Sequence, residues 1–129
     1  MTIQTKLLNY ECDGVRLEGY LAWDDSIESA PGILVSHAWG GRSEFEESKA
    51  VALAGMGFIG FAIDMYGDGK RGNNPEENEG LMTPLLADRE LLGRRIEAAV
   101  EILRQQPQVK SEKVAAMGYC FGGLCVLDL

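Results

Sequence analysis

Three short apolar runs, separated by helix-patterned stretches, restrict what this 129-residue chain can become more than any other feature. They are Ile33 to Val35, the nearly continuous FIGFAIDMY from Phe58 to Tyr66, and KVAAMGYC from Lys113 to Cys120. Runs of this length and continuity read as buried strands, the signature of a mostly parallel sheet. Between the first two lies GGRSEFEESKAVALAGMG, in which Ser43 and Glu46 stand at capping-box spacing and Gly55 or Gly57 would end the helix. Between the second and third, a long helix is expected from about Thr83 to Gln106. Thr83 would cap it, Pro84 would take its first helical position, and Pro107 would stop it. Leu85, Leu92, Ile96, Ala99, Val100 and Leu103 fall on one stripe of that helix. The GDGKRGNNPEENEG before it reads as a polar, Gly-rich loop, and FGGLCVLDL begins a further helix.

Ahead of these elements, TKLLNYECDGVRLEGYLAWDD reads as two strands around Asp13-Gly14, a strong hairpin signal. The order β-hairpin, β, α, β, α, β, start of α implies an α/β fold. Its sheet is mostly parallel, with helices on both faces and the antiparallel hairpin at one edge. The length suits one domain, residues 1–129.

The net charge of −8 disfavours a nucleic-acid partner, because phosphate contacts need clustered Lys and Arg. The apolar runs are too short to span a bilayer, and no secretion signal opens the chain. The three cysteines, Cys12, Cys120 and Cys125, lack zinc-ligand spacing. Reduced thiols and a cytoplasmic location are the expectation.

The chemistry concentrates at GYCFGG, Gly118 to Gly123. Cys120 falls between a buried strand and a helix start, where backbone N–H groups favour an anion such as a thiolate. Gly118 and Gly122 complete the G-x-nucleophile-x-G spacing of a nucleophile elbow, which thrusts the central side chain above the sheet. The N–H of Phe121 then serves an oxyanion. A second donor, from Ala38 or Trp39, would come from SHAWGG, the loop after the third strand. His37, the single histidine, and Trp39 are candidates for pocket wall. His37 is not expected to be the base, because elbows take their His from a later segment; a satisfied strand-end histidine is the other reading. Cys125 reads as packing, and Cys12 carries no assigned chemistry. Gly67 to Gly72 matches G-x-G-x-x-G but is followed by polar sequence where a dinucleotide fingerprint opens a helix. Asp64 is expected to accept backbone hydrogen bonds at its strand end.

GYCFGG, with KVAAMGYC and RIEAAVEILRQQP before it, resembles the dienelactone hydrolase family of α/β-hydrolases. ILVSHAWGGRSEFEESKAVALAGMGFIGFAIDMYGDGK is similar to the N-terminal half of such a protein, so the likeness runs from about Gly32 onward. It implies a Cys120 nucleophile, oxyanion donors at Phe121 and Ala38, and cleavage of a small ester or lactone through an acyl-enzyme. It implies no metal or organic cofactor. The chain departs from the family pattern in two places. His37 stands where an acidic residue often follows the third strand, and Lys70 and Arg71 are out of register for the substrate-gripping arginine. A broad ester or lactone substrate is therefore expected. The family's Asp and His follow the nucleophile, whereas Leu129 lies nine residues after Cys120. The expectation is an N-terminal part of one α/β-hydrolase domain, truncated after the elbow and inactive or very weak alone. Its missing elements would come from a complementing C-terminal half or from self-association. The alternative is a non-catalytic α/β remnant that binds a partner or itself. A small redox domain is disfavoured, since Cys120 has no C-x-x-C partner.

Overall fold

The structure, a computed structural model, describes residues 2–129. The chain opens with strands β1 (Ile3–Cys12) and β2 (Val15–Asp24), paired antiparallel through the whole of both. Asp13 and Gly14 between them take φ of 52° and 80°, the two positive values a type I′ hairpin turn requires. Then follow β3 (Ala30–Ser36), α1 (Glu44–Gly55), β4 (Ile59–Ala62), α2 (Pro75–Ala87), α3 (Arg89–Arg104), β5 (Val109–Gly118) and α4 (Phe121–Leu127). The sheet order is β1-β2-β4-β3-β5. β4, β3 and β5 run parallel, and β2 joins β4 antiparallel. The α/β class, the hairpin edge and the parallel strands match the sequence reading; the sheet as a whole is mixed.

Each face of the sheet carries its own packing. On one, Ala22 and Ala62 meet Ala50 and Ala54 of α1, all fully buried, and these small side chains let helix and sheet approach closely. On the other, Leu17, Leu21, Leu34 and Phe61 pack with Leu92, Ile96, Ala99 and Leu103 of α3, again with no exposure. Of the apolar stripe read from the sequence, Leu92, Ile96, Ala99 and Leu103 form the buried face of α3, Val100 is half-buried, and Leu85 lies on α2. The α1 capping box also forms: Ser43 N–H donates to Glu46 Oε1 at 2.8 Å, and the Ser43 hydroxyl accepts from Phe45 N–H.

Two expectations are corrected. The long helix from Thr83 to Gln106 is two helices, and the supposed loop holds the start of the first, from Pro75 to Gly80. Asn74 caps α2 by accepting from Glu77 N–H at 2.9 Å, and Pro75 occupies its first turn. Thr83 and Pro84 therefore lie inside α2. Asp88 breaks the path and caps α3 by accepting from Leu91 N–H. Second, β5 is not a buried strand. It pairs with β3 alone among the described residues, and positions 110 to 113 are exposed. Its apolar pattern describes surface that a further neighbour would cover. No helix among the described residues is long and apolar enough to cross a membrane.

Candidate active site

The elbow is built where β5 meets α4. Cys120 has φ 53° and ψ −112°, a conformation that costs a residue with a Cβ about 1–3 kcal/mol and persists only where surrounding contacts impose it. Those contacts come from β3. Tyr119 N–H donates to Ser36 carbonyl at 3.3 Å, and α4 begins directly against the end of that strand. A Cβ on Gly122 would lie 2.6 Å from the Ser36 carbonyl carbon and 2.7 Å from His37 O. A Cβ on Gly118 would lie 2.5 Å from Gly123 N, across the turn. Both elbow glycines are therefore demanded by close backbone approach. The result exposes Cys120, while Cys125, a turn and a half further on, is fully buried. Burial pushes the Cys125 thiol up to about 12, which keeps it protonated and inert.

The facing loop is held by its carbonyls. The Ala38 carbonyl accepts from Gly41 N–H at 3.1 Å, and the Trp39 carbonyl accepts the Tyr66 hydroxyl at 2.6 Å. The backbone N–H groups of Ala38 and Phe121 donate to no acceptor among the described residues. They are the two predicted oxyanion donors, and both residues line the same pocket as Cys120.

His37 does not line that pocket, so its place as pocket wall is corrected. Its ring is wholly buried, and both nitrogens are engaged: Nδ1–H donates to Ala38 carbonyl at 2.7 Å, and Nε2 accepts from Met65 N–H at 2.9 Å. Burial pushes its pKa below the ordinary value, and the Met65 bond requires the neutral ring. A histidine so placed cannot take a proton from Cys120. It is a strut: its ring packs against Tyr66 at 4.8 Å, and Tyr66 stacks on Phe121 at 5.8 Å. This aromatic cluster ties the SHAWGG loop, the end of β4 and the elbow into one unit.

The pocket, about 480 Å³, is lined by Ala38, Trp39, Met82, Leu86, Cys120, Phe121 and Leu124. Met82 and Leu86, which the sequence reading does not assign to the site, stand on α2, whose first residues carry a polar, Gly-rich pattern. The Asn74-Pro75 pair with Glu77 three residues after the cap was the available signal. The G-x-G-x-x-G match has no phosphate cradle. The buried Asp64 carboxylate accepts from the N–H groups of Glu18, Tyr66, Gly67 and Gly69 at 2.8–3.0 Å, so the first two glycines have no free donor. A helix does follow, but at Pro75 and under its own Asn74 cap. Beside this loop the buried Arg42 guanidinium pairs with Glu18 and Glu47 at 2.9 and 3.1 Å, fastening the chain after SHAWGG to β2.

The model of the dienelactone hydrolase family matches residues 17–129, beginning in β2, ahead of Gly32. A protein of Aquifex aeolicus named "Putative carboxymethylenebutenolidase" is 32% identical over 125 residues, covering 92% of this chain and 52% of that one. A Bradyrhizobium protein named "Probable 2-oxo-3-(5-oxofuran-2-ylidene)propanoate lactonase" is 26% identical over 127 residues, covering 98% of this chain and 51% of its own. Among solved structures, a dienelactone hydrolase-like promiscuous phosphotriesterase from metagenomic libraries is 31% identical with a TM-score of 0.94. That match covers 98% of this chain and 53% of the other. The chain spans about half the length of the relatives it matches.

Proposed function

The chain belongs to the dienelactone hydrolase family, and we propose that residues 1–129 are the nucleophile-bearing N-terminal part of a domain that cleaves a small ester or lactone. In this reading the Cys120 sulfur attacks the acyl carbon. The carbonyl electron pair moves to oxygen, where the N–H groups of Phe121 and Ala38 receive it. Collapse breaks the acyl–oxygen bond. The alkoxide leaves with the thiol's proton and a thioester remains, which water then cleaves to the acid. The proton is carried by a histidine, oriented by a carboxylate, from the rest of a full-length domain; His37 is sealed and cannot serve. The chain alone is then an acylatable half-site with little turnover, since lacking triad members costs about three orders of magnitude or more.

The observation that carries this reading is the exposed Cys120 held at φ 53° between two glycines that cannot bear a Cβ, in one pocket with two unengaged N–H groups. The free thiols support a reducing, cytoplasmic setting. A neutral 4-nitrophenyl ester and a thiol-reactive probe test it. A stoichiometric burst of nitrophenol that leaves an acyl group on Cys120, absent from Cys120→Ala, is the expected result. Labelling of Cys120 no faster than that of the thiols in the unfolded chain would overturn it.

A second reading, a partner-binding or self-associating module without catalysis, draws on the half-exposed β5 edge. Beside it lies a groove of about 450 Å³ whose lining includes Val100, Val114, Ala116 and Leu129. Slow labelling of Cys120 together with dimers in sedimentation would favour that reading.

A further inference from the structure

The walls that the described residues give the pocket beside Cys120 are apolar. Apart from the thiol itself they are Ala38, Trp39, Met82, Leu86, Phe121 and Leu124. Among the described residues no lysine, arginine, carboxylate or histidine lines it. Every arginine of the chain is held elsewhere by a carboxylate or a backbone carbonyl. A carboxylate brought into these walls would lose its hydration and meet no countercharge. An aromatic or alkyl group would cover the Trp39 and Leu86 faces, which are 38% and 40% exposed. It would also meet the Met82 thioether, a favourable neighbour for a ring. The two oxyanion donors lie at the Cys120 end, so a carbonyl seated there directs the rest of the molecule along α2.

Resting on the assignment of Cys120 as nucleophile, we propose that this site selects uncharged esters carrying an apolar body of about aromatic size and rejects carboxylate-bearing ones. Leu86 and Met82 on α2 set that selectivity. Met82 and Leu86 of α2 line the 480 Å³ pocket with Trp39 and Leu124, and this volume suits a substituted benzene ring with its ester linkage.

The test uses the chain as it is. Two 4-nitrophenyl esters, of 4-methylbenzoic acid and of 4-carboxybenzoic acid, differ at the far end of the ring by one negative charge. Each rate of Cys120 acylation is read from nitrophenol release and adduct mass, and divided by that ester's rate with N-acetylcysteine. The neutral ester is expected to acylate Cys120 about tenfold to a hundredfold faster on this scale, the penalty for a polar group left without a partner. The preference should persist at high salt, because it comes from the walls and not from the overall charge of −8. Leu86→Lys should narrow it and Leu86→Glu should widen it; both replace a side chain that already reaches solvent. Equal normalised rates, a preference that vanishes in salt, or the same change from Lys and Glu would overturn the substrate class while leaving Cys120 as nucleophile. Rates with both esters no higher than with N-acetylcysteine would overturn the nucleophile, and this inference with it.

Discussion

β3 has two neighbours, and they are finished differently. β4 is four residues long and buried throughout, with β2 on its far side and α1 against one face. β5 is ten residues long and mostly exposed or half-buried, and among the described residues it pairs with β3 alone. The elbow stands on the open strand, yet its contacts reach back to β3 and to the residues after β4. Gly122 presses on the end of β3, Phe121 stacks on Tyr66, and Tyr119 bonds Ser36. The closed flank thus shapes the elbow carried by the open one. Stability and reactivity should accordingly respond to different substitutions.

The largest contrast is between cores. Phe61→Ala on β4 should cost about 3–5 kcal/mol in urea unfolding, because a fully buried ring leaves a cavity. Val114→Ala on β5 should cost about 1 kcal/mol or less, since a half-buried side chain loses little. Similar values would erase the distinction between the flanks. Next is Gly122→Ala, whose new methyl meets the β3 backbone and should cost about 1–3 kcal/mol. It should also slow Cys120 labelling, and unchanged labelling would mean that β3 does not shape the elbow. Smaller, and opposite in sign, is Cys120→Gly. Glycine accepts φ 53° freely, so the variant should gain about 1 kcal/mol while losing all acylation. A destabilised variant would show that Cys120 is not strained.

The last expectation is a pH effect. The folded-state pKa of His37 lies below its ordinary 6.5, so the native state binds the proton less readily than the unfolded chain. Stability from this group is complete above pH 6.5 and declines as the pH falls through that value toward the lower folded-state pKa. Asp24 and Asp128, whose folded pKa values are also lowered, begin to contribute only near 3.8. Urea midpoints between those limits should fall with acidification in the native chain and stay flatter in His37→Gln. Parallel slopes would remove His37 from the account.

Local signals were reliable wherever the deciding atoms are neighbours in sequence. The Asp13-Gly14 turn, the Ser43–Glu46 box and the α3 stripe needed only spacing. The helix α2 is legible too, in Asn74, Pro75 and Glu77, but the glycines and polar residues around them carry the pattern of a loop. Met82 and Leu86 enter the pocket wall only through the packing of this helix beside the elbow. β5 failed for another reason. An apolar pattern records what a strand is suited to bury, and says nothing of whether the covering neighbour is there.

The order of elements, the elbow spacing around Cys120 and the family to which the chain belongs were set by the sequence itself, because each depends on residue types at short, regular intervals. Three properties came only with the tertiary structure: the positive φ of Cys120, the closure of His37 by Met65, and the pocket shared by α2 and the SHAWGG loop. Each joins segments that the chain holds far apart, and packing between backbones, which leaves no local mark on the sequence, decides how they meet.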